Sequence, residues 1–270
     1  MTARYAVIGN PVAHSKSPWI HTRFARDTGQ DLSYEAIEAP LDGFARTVDA
    51  FRAAGGSGAN VTLPFKEQAF AYCASASERA RAARSVNTLV LDRGAPWGDN
   101  TDGIGLVRDL EVNLGVSLRG SKVLVLGAGG AAQGVLQPLL AAGVRELVVA
   151  NRTIERSLAL ETRFPGIEGT GYAGLAARAF DLVINATSAG LRGELPPLPP
   201  AREAGPFAAG ALAYDMVYGS DTPFLEYARR AGARVSDGTG MLVEQAAESF
   251  FIWRGVRPDT RAVLAALRAR

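Results

Sequence analysis

The sequence predicts an α/β protein. Short apolar runs that end at glycine or polar residues alternate with longer amphipathic stretches along the chain. Strands alternating with helices in this way are typical of folds in which helices cover a sheet. With 270 residues, of which 47% are hydrophobic and 21% charged, the chain can build one large or two medium domains.

The alternation defines nine strands and nine helices. Apolar runs bounded by turn residues predict strands at residues 5–9, 34–39, 58–62, 88–92, 122–127, 146–150, 182–185, 211–216 and 234–237. Amphipathic stretches predict helices at residues 18–28, 41–54, 77–83, 104–114, 132–141, 154–164, 224–231, 242–253 and 259–268.

A domain boundary is predicted near Asp102. The helix that begins at residue 104 is followed by a turn-like segment at 118–121 and a buried-type strand, as expected where the chain enters a second unit. We therefore expect an N-terminal α/β domain over residues 1–101 and a second domain over residues 102–241. The helices of residues 242–270 are expected to complete the first domain.

Composition excludes several classes of partner. Twenty-nine Lys and Arg against 27 Asp and Glu leave a net charge of +2, so no strong field favours nucleic acid or an anionic membrane. One cysteine and two histidines give little basis for a disulfide or a metal site, and none is expected. The sequence has no signal-peptide pattern and no apolar run near the ~20 residues of a membrane span. We expect a cytoplasmic monomer or homodimer that binds small molecules.

A glycine-rich turn is the clearest chemical signal. The apolar strand at 123–126 runs into GAGGAA at 127–132 and then into a helix. In the G-x-G-x-x-G/A pattern, Gly127 permits the turn, Gly129 lets the backbone approach a pyrophosphate, and Ala132 takes the third position. Free N–H groups at the helix N-terminus would bind the anion. The alternative is an ordinary tight turn, but the flanking strand and helix favour a Rossmann-type dinucleotide site.

The end of the next strand indicates which dinucleotide is bound. About 20 residues past the glycines, an Asp or Glu would bind the ribose 2′-hydroxyl of NAD. This chain has Asn151, Arg152 and Thr153 there, followed by Arg156. A guanidinium suits a 2′-phosphate through charge-assisted hydrogen bonds, so NADP is favoured over NAD. The alternative is that both arginines lie on a solvated helix start.

Polar segments after two N-terminal strands offer groups to a small polar ligand. Ser15 and Ser17 follow the first strand, and Asn60 and Thr62 stand at alternate positions, which places them on one side of the third strand. A simpler interpretation of Ser17 is a helix N-cap before Pro18.

Lys66 stands out among the basic residues. Lysine occurs only at Lys16, Lys66 and Lys122, and every other basic residue is arginine. Pro64 fits the first turn of a helix and places Lys66 at its start, where the helix dipole disfavours a cation, so a functional role is expected. Arginine could not replace a lysine that donates a proton, because the guanidinium pKa exceeds ~12.

Asn87 and Asp102 add an amide and a carboxylate at the edges of predicted elements. Asn87 lies in SVNT at 85–88, and Asp102 lies in NTDG at 100–103. On spacing alone, a catalytic role for Asp102 and an N-cap for the helix after Gly103 are equally supported.

The chain resembles the shikimate dehydrogenases in nine segments that occur in one order: GNPVAHSKSP, NVTLPFK, SVNT, NTDG, GAGGAA, NRT, NATSAG, YDMVY and DGTGMLVEQAAESF. They span residues 9–250, and their joint order is far more specific than the glycine turn alone. The resemblance implies an N-terminal substrate domain, a Rossmann-type doubly wound NADP-binding domain and a cleft between them. It also implies NADPH-dependent, reversible reduction of 3-dehydroshikimate to shikimate in chorismate and aromatic amino-acid biosynthesis.

The resemblance also implies individual roles. Lys66 and Asp102 match the catalytic pair of the family. The residues that match its substrate contacts are Ser15, Ser17, Asn60, Thr62, Asn87, Tyr218 and Gln245. Those that match its NADP(H) contacts are Glu78, Gly127, Ala128, Gly129, Gly130, Ala131, Asn151, Arg152, Thr153, Arg156, Thr187, Met216 and Gly238.

Three alternative functions follow from related folds. A quinate/shikimate dehydrogenase would use NAD, but the pair Ser15 and Ser17 matches the shikimate-specific branch better. A non-catalytic module that senses shikimate or NADP would keep the fold without the chemistry, and the presence of both Lys66 and Asp102 argues against it. A methylenetetrahydrofolate dehydrogenase has a related layout, but the polar segments fit a small polyhydroxy acid better.

Overall fold

The computed structural model describes residues 2–199 and 205–269. The chain divides into two compact units, of which unit 1 comprises Met1–Gly105 and Val243–Arg270, and unit 2 comprises Leu106–Leu242. The first division falls a few residues after the predicted position near Asp102. The C-terminal segment belongs to unit 1.

The described residues contain strands in both units. They are β1 (Ala3–Gly9), β2 (Leu32–Glu38), β3 (Gly56–Val61), β4 (Ser75–Ala76), β5 (Thr88–Val90), β6 (Trp97–Asp99), β7 (Lys122–Leu126), β8 (Glu146–Ala150), β9 (Ile167–Thr170), β10 (Phe180–Asn185), β11 (Phe207–Asp215) and β12 (Arg234–Ser236).

Helices connect most of these strands. They are α1 (Ser17–Asp27), α2 (Phe44–Ala53), α3 (Lys66–Tyr72), α4 (Glu78–Ala83), α5 (Asp102–Arg108), α6 (Gly130–Ala141), α7 (Ile154–Arg163), α8 (Pro223–Arg230), α9 (Thr239–Arg254) and α10 (Arg261–Arg268). A π-helical turn at Asp109–Asn113 continues α5, and short 3-10 turns occur at Tyr172–Leu175 and Gly190–Arg192. None of the helices in these two ranges combines the length and the apolar character that a membrane span requires.

The sheet of unit 1 is mixed. Its strand order is β2-β1-β3-β5-β6-β4. Strands β2, β1 and β3 are parallel, whereas β5 runs antiparallel to both β3 and β6. Strands β4 and β6 were not predicted, because two or three residues are too few to show an alternating pattern. Because β1 and β3 are parallel neighbours, the loops that follow them emerge at the same edge of the sheet.

The sheet of unit 2 confirms the predicted Rossmann-type topology. Its order is β12-β11-β10-β7-β8-β9, and every paired neighbour is parallel. Counted from β7, this is the 3-2-1-4-5-6 order of doubly wound dinucleotide-binding sheets. The sequence did not predict β9, whose four residues include Gly169. Strands β7 and β8 are buried except at their first residues, as expected when helices cover both faces.

Each unit has its own apolar core. In unit 1, Ile8 and Val61 from neighbouring strands pack with Phe44 and Phe65, whose ring centroids lie 5.2 Å apart. In unit 2, residues from β7, β8 and β10, including Leu124 and Val148, pack with the helix residue Phe224. These cores fix the strand ends from which the polar loops emerge.

The start of α1 differs from the prediction. Lys16, not Ser17, occupies the N-cap position, and Ser17 lies in the first turn with Pro18. Ser15 Oγ accepts a hydrogen bond from the Ser17 N–H at 3.2 Å, so Ser15 satisfies the backbone donor. The interpretation of Ser17 as an N-cap was wrong, and its buried side chain lies beside the Tyr34 hydroxyl.

A buried histidine lies in an aromatic cluster of unit 1. The imidazole of His21 stacks on Tyr34 with a centroid distance of 4.3 Å and an interplanar angle of 4°. Its ring also lies beside Phe24, Phe250 and Trp253. No hydrogen bond of good geometry reaches either ring nitrogen in the described part of the chain, although the Asn60 side chain lies near enough to oppose the effect of burial in part. Burial lowers the pKa of His21 to about 3, so the ring is neutral in the folded protein.

This histidine makes stability depend on pH. Below about pH 6.5 the unfolded chain binds a proton at His21, which the folded protein binds only near pH 3. The free energy of unfolding should therefore fall as pH decreases from 6.5 towards 3. We expect His21→Phe to flatten this dependence, as measured by urea unfolding at pH 7.0, 5.5 and 4.5. The exposed His14→Gln variant is the control, and equal slopes in both variants would contradict the assignment.

Candidate functional site

An ion pair joins the starts of two helices in unit 1. Lys66 begins α3 and Asp102 begins α5, and Lys66 Nζ lies 2.5 Å from Asp102 Oδ2. The Lys66 side chain is 20% exposed and that of Asp102 is 8% exposed, so the pair is shielded while the lysine keeps access to solvent. The carboxylate offsets the unfavourable position of a cation at a helix N-terminus.

The second oxygen of Asp102 is also bound. Asn87 Nδ2 donates to Asp102 Oδ1 at 2.8 Å. The backbone N–H of Asp102 donates to Asn100 Oδ1 at 3.1 Å, so Asn100 satisfies the donor at the helix start. The Asp102 carboxylate binds two side chains rather than the backbone of its helix. This geometry favours a chemical role over the N-cap alternative.

The orientation of the Asn87 amide is fixed by a backbone group. Asn87 Oδ1 accepts from the Thr101 N–H at 2.9 Å, and an N–H can only donate. The Asn87 Nδ2 group must therefore point towards Asp102. Gln245 from α9 lies beside this pair, with its Oε1 3.4 Å from both Asn87 Nδ2 and Thr101 Oγ1. The structure thus brings Lys66, Asp102, Asn87 and Gln245 together.

The predicted residues after β1 and β3 occupy adjoining loops. The Asn10 N–H donates to the Leu63 carbonyl at 3.0 Å, which ties the loop that carries Ser15 and enters α1 at Ser17 to the loop carrying Thr62. Thr62 is partly exposed, and its own N–H donates to the Ile8 carbonyl at 2.9 Å.

Asn60 is placed differently from the other predicted substrate contacts. Its Nδ2 donates to the Asn87 carbonyl at 3.1 Å and lies 3.0 Å from Ser249 Oγ, and its Oδ1 accepts from Tyr34 Oη at 2.8 Å. The residue is 6% exposed. With both ends of the amide engaged by the protein, Asn60 holds neighbouring elements together.

The glycine-rich turn of unit 2 has the predicted geometry. Gly127 has φ +101°, a conformation that favours glycine, and its N–H donates to the Ala150 carbonyl at 2.8 Å. Gly129 is the N-cap of α6 and Gly130 begins the helix. A Cβ at either position would enter open space. Protein packing therefore does not require these two glycines, and the space beside the free N–H groups of α6 fits a phosphate.

The arginines after β8 are available to an anion. Arg152 and Arg156 are exposed, and neither forms an ion pair within residues 2–199 and 205–269. Asn151 Nδ2 donates to the Thr153 carbonyl at 2.8 Å, which shapes the turn into α7. Glu194 is near enough for the Arg152 charge to contribute to the lowered pKa of that carboxyl, after the larger effect of Arg192.

A buried carboxylate organises the ends of β10 and β11. Asp215 accepts from Asn185 Nδ2 at 3.1 Å, from Thr222 Oγ1 at 2.6 Å and from the Val217 N–H at 3.0 Å. Asn185 Oδ1 in turn accepts from the Thr187 N–H and from Thr187 Oγ1, at 3.1 and 2.7 Å. Burial raises the pKa of Asp215.

Three further predicted residues lie beside these strand ends. A Cβ at Gly238 would come within 2.8 Å of the Met216 carbonyl carbon, so the backbones of Gly238 and Met216 meet where only glycine fits. Tyr218 lies in the loop after β11, and burial raises the pKa of its hydroxyl.

Glu78 is exposed in the first turn of α4 in unit 1, and no hydrogen bond links it to another predicted residue in the described ranges.

The sequence reasoning missed polar residues that hold the predicted ones. In unit 1 these are Thr88, Thr101 and Ser249, and in unit 2 they are Asn185, Asp215 and Thr222. All except Thr222 lie inside segments that carried the family resemblance. The available signal was a hydroxyl, amide or carboxylate within an otherwise apolar strand or helix, because such a group requires a partner when buried.

Comparisons with known proteins find similar proteins along the chain. The family model of the shikimate dehydrogenase substrate binding domain matches residues 7–89. The model of shikimate / quinate 5-dehydrogenase matches residues 110–191, and that of the shikimate 5′-dehydrogenase C-terminal domain matches residues 238–268.

Individual proteins are similar over nearly their full lengths. The chain is 57% identical to the shikimate dehydrogenase (NADP(+)) of Nitrosospira multiformis, over 100% of this chain and 98% of that protein. It is 58% identical to the protein of the same name from Aromatoleum aromaticum, over 98% and 96%. The structure of shikimate 5-dehydrogenase from Thermus thermophilus in complex with NADP(H) and shikimate matches with a TM-score of 0.88 and 38% identity, over 99% of both chains.

The two glycines of the turn should respond differently to substitution. We expect Gly127→Ala to lower the free energy of unfolding by about 1–3 kcal/mol, because alanine is strained at positive φ, and its Cβ would lie 3.1 Å from Thr187 Cγ2. Gly129→Ala should change stability by less than about 0.5 kcal/mol, since Gly129 has φ −81° and its Cβ meets open space. Urea unfolding of both variants is the measurement, and equal losses would show that the turn is described wrongly.

Proposed function

The chain belongs to the shikimate dehydrogenase family, and on that premise we propose that Lys66 and Asp102 are the catalytic pair with which it reduces 3-dehydroshikimate reversibly to shikimate. It is an oxidoreductase that uses NADP(H), like the shikimate dehydrogenases (NADP(+)) to which it is similar. The observation that carries the proposal is the 2.5 Å contact between Lys66 Nζ and Asp102 Oδ2, together with the Asn87 amide on the other carboxylate oxygen.

Ketone reduction requires a proton donor at the oxygen. Adding a hydride to the carbonyl carbon builds negative charge on the oxygen, which must be stabilised and protonated. NADPH, when bound, supplies the hydride. We propose that the Lys66 ammonium stabilises this charge and transfers a proton from Nζ to the oxygen. In the reverse direction, the Lys66 amine accepts the proton of the substrate hydroxyl.

Asp102 has two parts in this proposal. Its Oδ2 orients the Lys66 ammonium. A donor that is already held in place loses less conformational entropy on reaching the transition state than a mobile one. The carboxylate also balances the lysine charge in a partly buried setting. Because Asn87 occupies Oδ1, the carboxylate cannot rotate away without losing a second hydrogen bond.

The remaining polar residues of unit 1 fit a small polyhydroxy acid. Ser15 and Thr62 carry hydroxyls on adjoining loops, Ser17 carries one at the start of α1, and Gln245 carries an amide beside Asn87. Hydroxyls and amides can donate to the substrate carboxylate, and they can both donate to and accept from the substrate hydroxyls. We propose these residues and Tyr218 as substrate contacts, and Asn60 as a support for Asn87.

The residues of unit 2 fit the diphosphate and the 2′-phosphate of NADP. We propose that the turn at Gly127–Ala131 holds the diphosphate and that Asn151, Arg152, Thr153 and Arg156 hold the 2′-phosphate. Thr187, Met216 and Gly238, at the carboxyl ends of neighbouring strands, are proposed nicotinamide contacts. Glu78 remains a proposed cofactor neighbour on the family resemblance alone.

The cellular location with its partners and the roles of the two units also remain proposals. We propose that the enzyme acts in the cytoplasm as a monomer or homodimer, with no nucleic-acid or membrane partner. The first unit is proposed to bind substrate and the second to bind cofactor.

The proposal is tested by steady-state assays of the purified protein with shikimate and quinate, each with NADP⁺ and NAD⁺. We expect the highest kcat/KM for shikimate with NADP⁺. Comparable rates with quinate and NAD⁺ would identify a broader quinate/shikimate dehydrogenase. Ligand binding without turnover would identify a sensing module instead.

Loss of the proposed proton donor should affect turnover more than affinity. We expect Lys66→Ala to lower kcat by about 10²- to 10⁴-fold, the usual contribution of a general acid, with a much smaller change in the KM for shikimate. Lys66→Arg keeps the charge but donates a proton poorly, so it should be impaired almost as severely. Lys122→Ala, which removes the lysine at the start of β7, is the control. Near-normal turnover of Lys66→Ala would remove this residue from the mechanism.

The 2′-phosphate assignment predicts a selective loss. We expect Arg152→Ala to raise the Kd for NADPH by about tenfold or more, because one charge-assisted hydrogen bond contributes about 1.5–3 kcal/mol. The Kd for NADH should change little, as measured by quenching or enhancement of nicotinamide fluorescence. The control is Arg145→Ala, which removes an exposed arginine immediately before the first residue of β8. Equal losses for both cofactors would show that Arg152 does not read the phosphate.

A further inference from the structure

Three buried hydroxyls surround the Asn87 amide in unit 1. Thr88 lies on β5, Thr101 precedes α5 and Ser249 lies on α9, and each is 0% exposed. Thr88 Oγ1 lies 2.9 Å from Asn87 Oδ1 and 2.8 Å from Ser249 Oγ. Buried hydroxyls with several partners at these distances are held in a network rather than free to rotate.

The network has a fixed direction at its start. Asn60 Nδ2 points at the Asn87 carbonyl, which can only accept, so the Asn60 amide cannot be flipped. Its second Nδ2 hydrogen is directed to Ser249 Oγ at 3.0 Å, which is closer than Thr88 Oγ1 at 3.3 Å. Ser249 therefore receives a hydrogen bond and retains its own hydroxyl hydrogen to donate.

The next two steps have the same direction. Asn87 Oδ1 is an acceptor, because the Thr101 N–H donates to it. A Thr88 hydroxyl that donated elsewhere would leave two oxygen lone pairs facing each other at 2.9 Å, so Thr88 donates to Asn87 Oδ1. Ser249 then donates in its 2.8 Å contact with Thr88 Oγ1, and it shares this one hydrogen with the more distant Gln245 carbonyl at 3.0 Å.

The resulting chain ends at the catalytic carboxylate. It runs from the Asn60 amide through the Ser249 and Thr88 hydroxyls to the Asn87 amide, whose Nδ2 donates to Asp102 Oδ1 at 2.8 Å. Hydrogen bonds that donate in one direction polarise one another, so each member strengthens the donor at the end of the chain. Asn60, Thr88 and Ser249 lie on β3, β5 and α9, whereas Asn87 immediately precedes β5 and Asp102 begins α5.

We infer that Thr88 and Ser249 are positioning residues for the Lys66–Asp102 pair and act through the Asn87 amide. The role in catalysis rests on the proposed function, whereas the role in holding Asn87 and Asp102 does not. Loss of the Thr88 hydroxyl removes a donor from Asn87 Oδ1, and loss of the Ser249 hydroxyl removes the donor that fixes the Thr88 hydroxyl. In both cases Asn87 holds Asp102 less firmly, and Asp102 orients Lys66 less well.

The test removes each hydroxyl with little change of shape. We expect Thr88→Val to lower kcat by about tenfold and Ser249→Ala to lower it several-fold, since each weakens one buried hydrogen bond. The KM for NADP⁺ should stay within about twofold. Thr88→Ser keeps the hydroxyl and should retain nearly the whole kcat. The double variant should lose less than the product of the two single losses, because both residues act through one chain.

The matched control is Ser85→Ala. Ser85 is also 0% exposed, but its Oγ has no hydrogen-bond partner in the described residues, so this variant deletes a buried serine hydroxyl outside the network. Thermal unfolding of every variant separates lost stability from lost positioning. If Thr88→Val and Thr88→Ser lose kcat equally, or Ser85→Ala loses as much as Ser249→Ala, packing rather than the hydroxyl chain is responsible and the inference is overturned.

A second readout does not depend on turnover. In protein labelled with ¹⁵N-asparagine, the side-chain NH₂ signals of Asn87 report its bond to Asp102. We expect Thr88→Val and Ser249→Ala to shift these signals and speed their hydrogen exchange, while Ser85→Ala leaves them unchanged. Wild-type protein that does not oxidise shikimate would refute the proposed function alone. Unchanged Asn87 signals in both hydroxyl variants would refute the positioning inference alone.

Discussion

The polar groups of the first unit converge on the carboxylate of Asp102. A carboxylate that is 8% exposed is unfavourable unless its oxygens are paired, and here each oxygen has its own partner. Lys66 binds one oxygen and Asn87 binds the other. The Asn87 amide is in turn oriented by the backbone of Thr101. The Lys66 ammonium therefore takes its position from the main chain near α5, which is far stiffer than a lysine side chain.

The second unit uses a buried carboxylate for a different purpose. All three hydrogen bonds to Asp215 come from neutral donors, namely the Asn185 amide, the Thr222 hydroxyl and the Val217 N–H. No ammonium or guanidinium stabilises its charge in those contacts. The group therefore cannot supply an oriented proton donor, but it fixes two loops that leave adjacent parallel strands. A buried aspartate is thus paired with a cation in one unit and held by neutral donors in the other.

Much of this organisation could be predicted from local patterns. Apolar runs with turn residues located the long strands, and the glycine turn with its flanking elements indicated the dinucleotide fold. Strands β4 and β6 could not be predicted because their pairing, not their composition, makes them strands. The proximity of Lys66 and Asp102 followed from family resemblance. The engagement of Asn60 by Ser249, 189 positions away, depends on tertiary packing that no local pattern encodes.

Different constraints preserve the two glycines of the turn during evolution. The backbone of Gly127 has a conformation that other residues rarely adopt, so selection for a folded protein alone would retain it. Gly129 has an ordinary extended backbone and an open side-chain direction, so protein packing does not restrain it, whereas the proposed phosphate contact would. A descendant that no longer bound a dinucleotide could accumulate larger residues at position 129 while keeping Gly127. The identity of residue 129 in such a descendant would therefore indicate whether dinucleotide binding is still under selection.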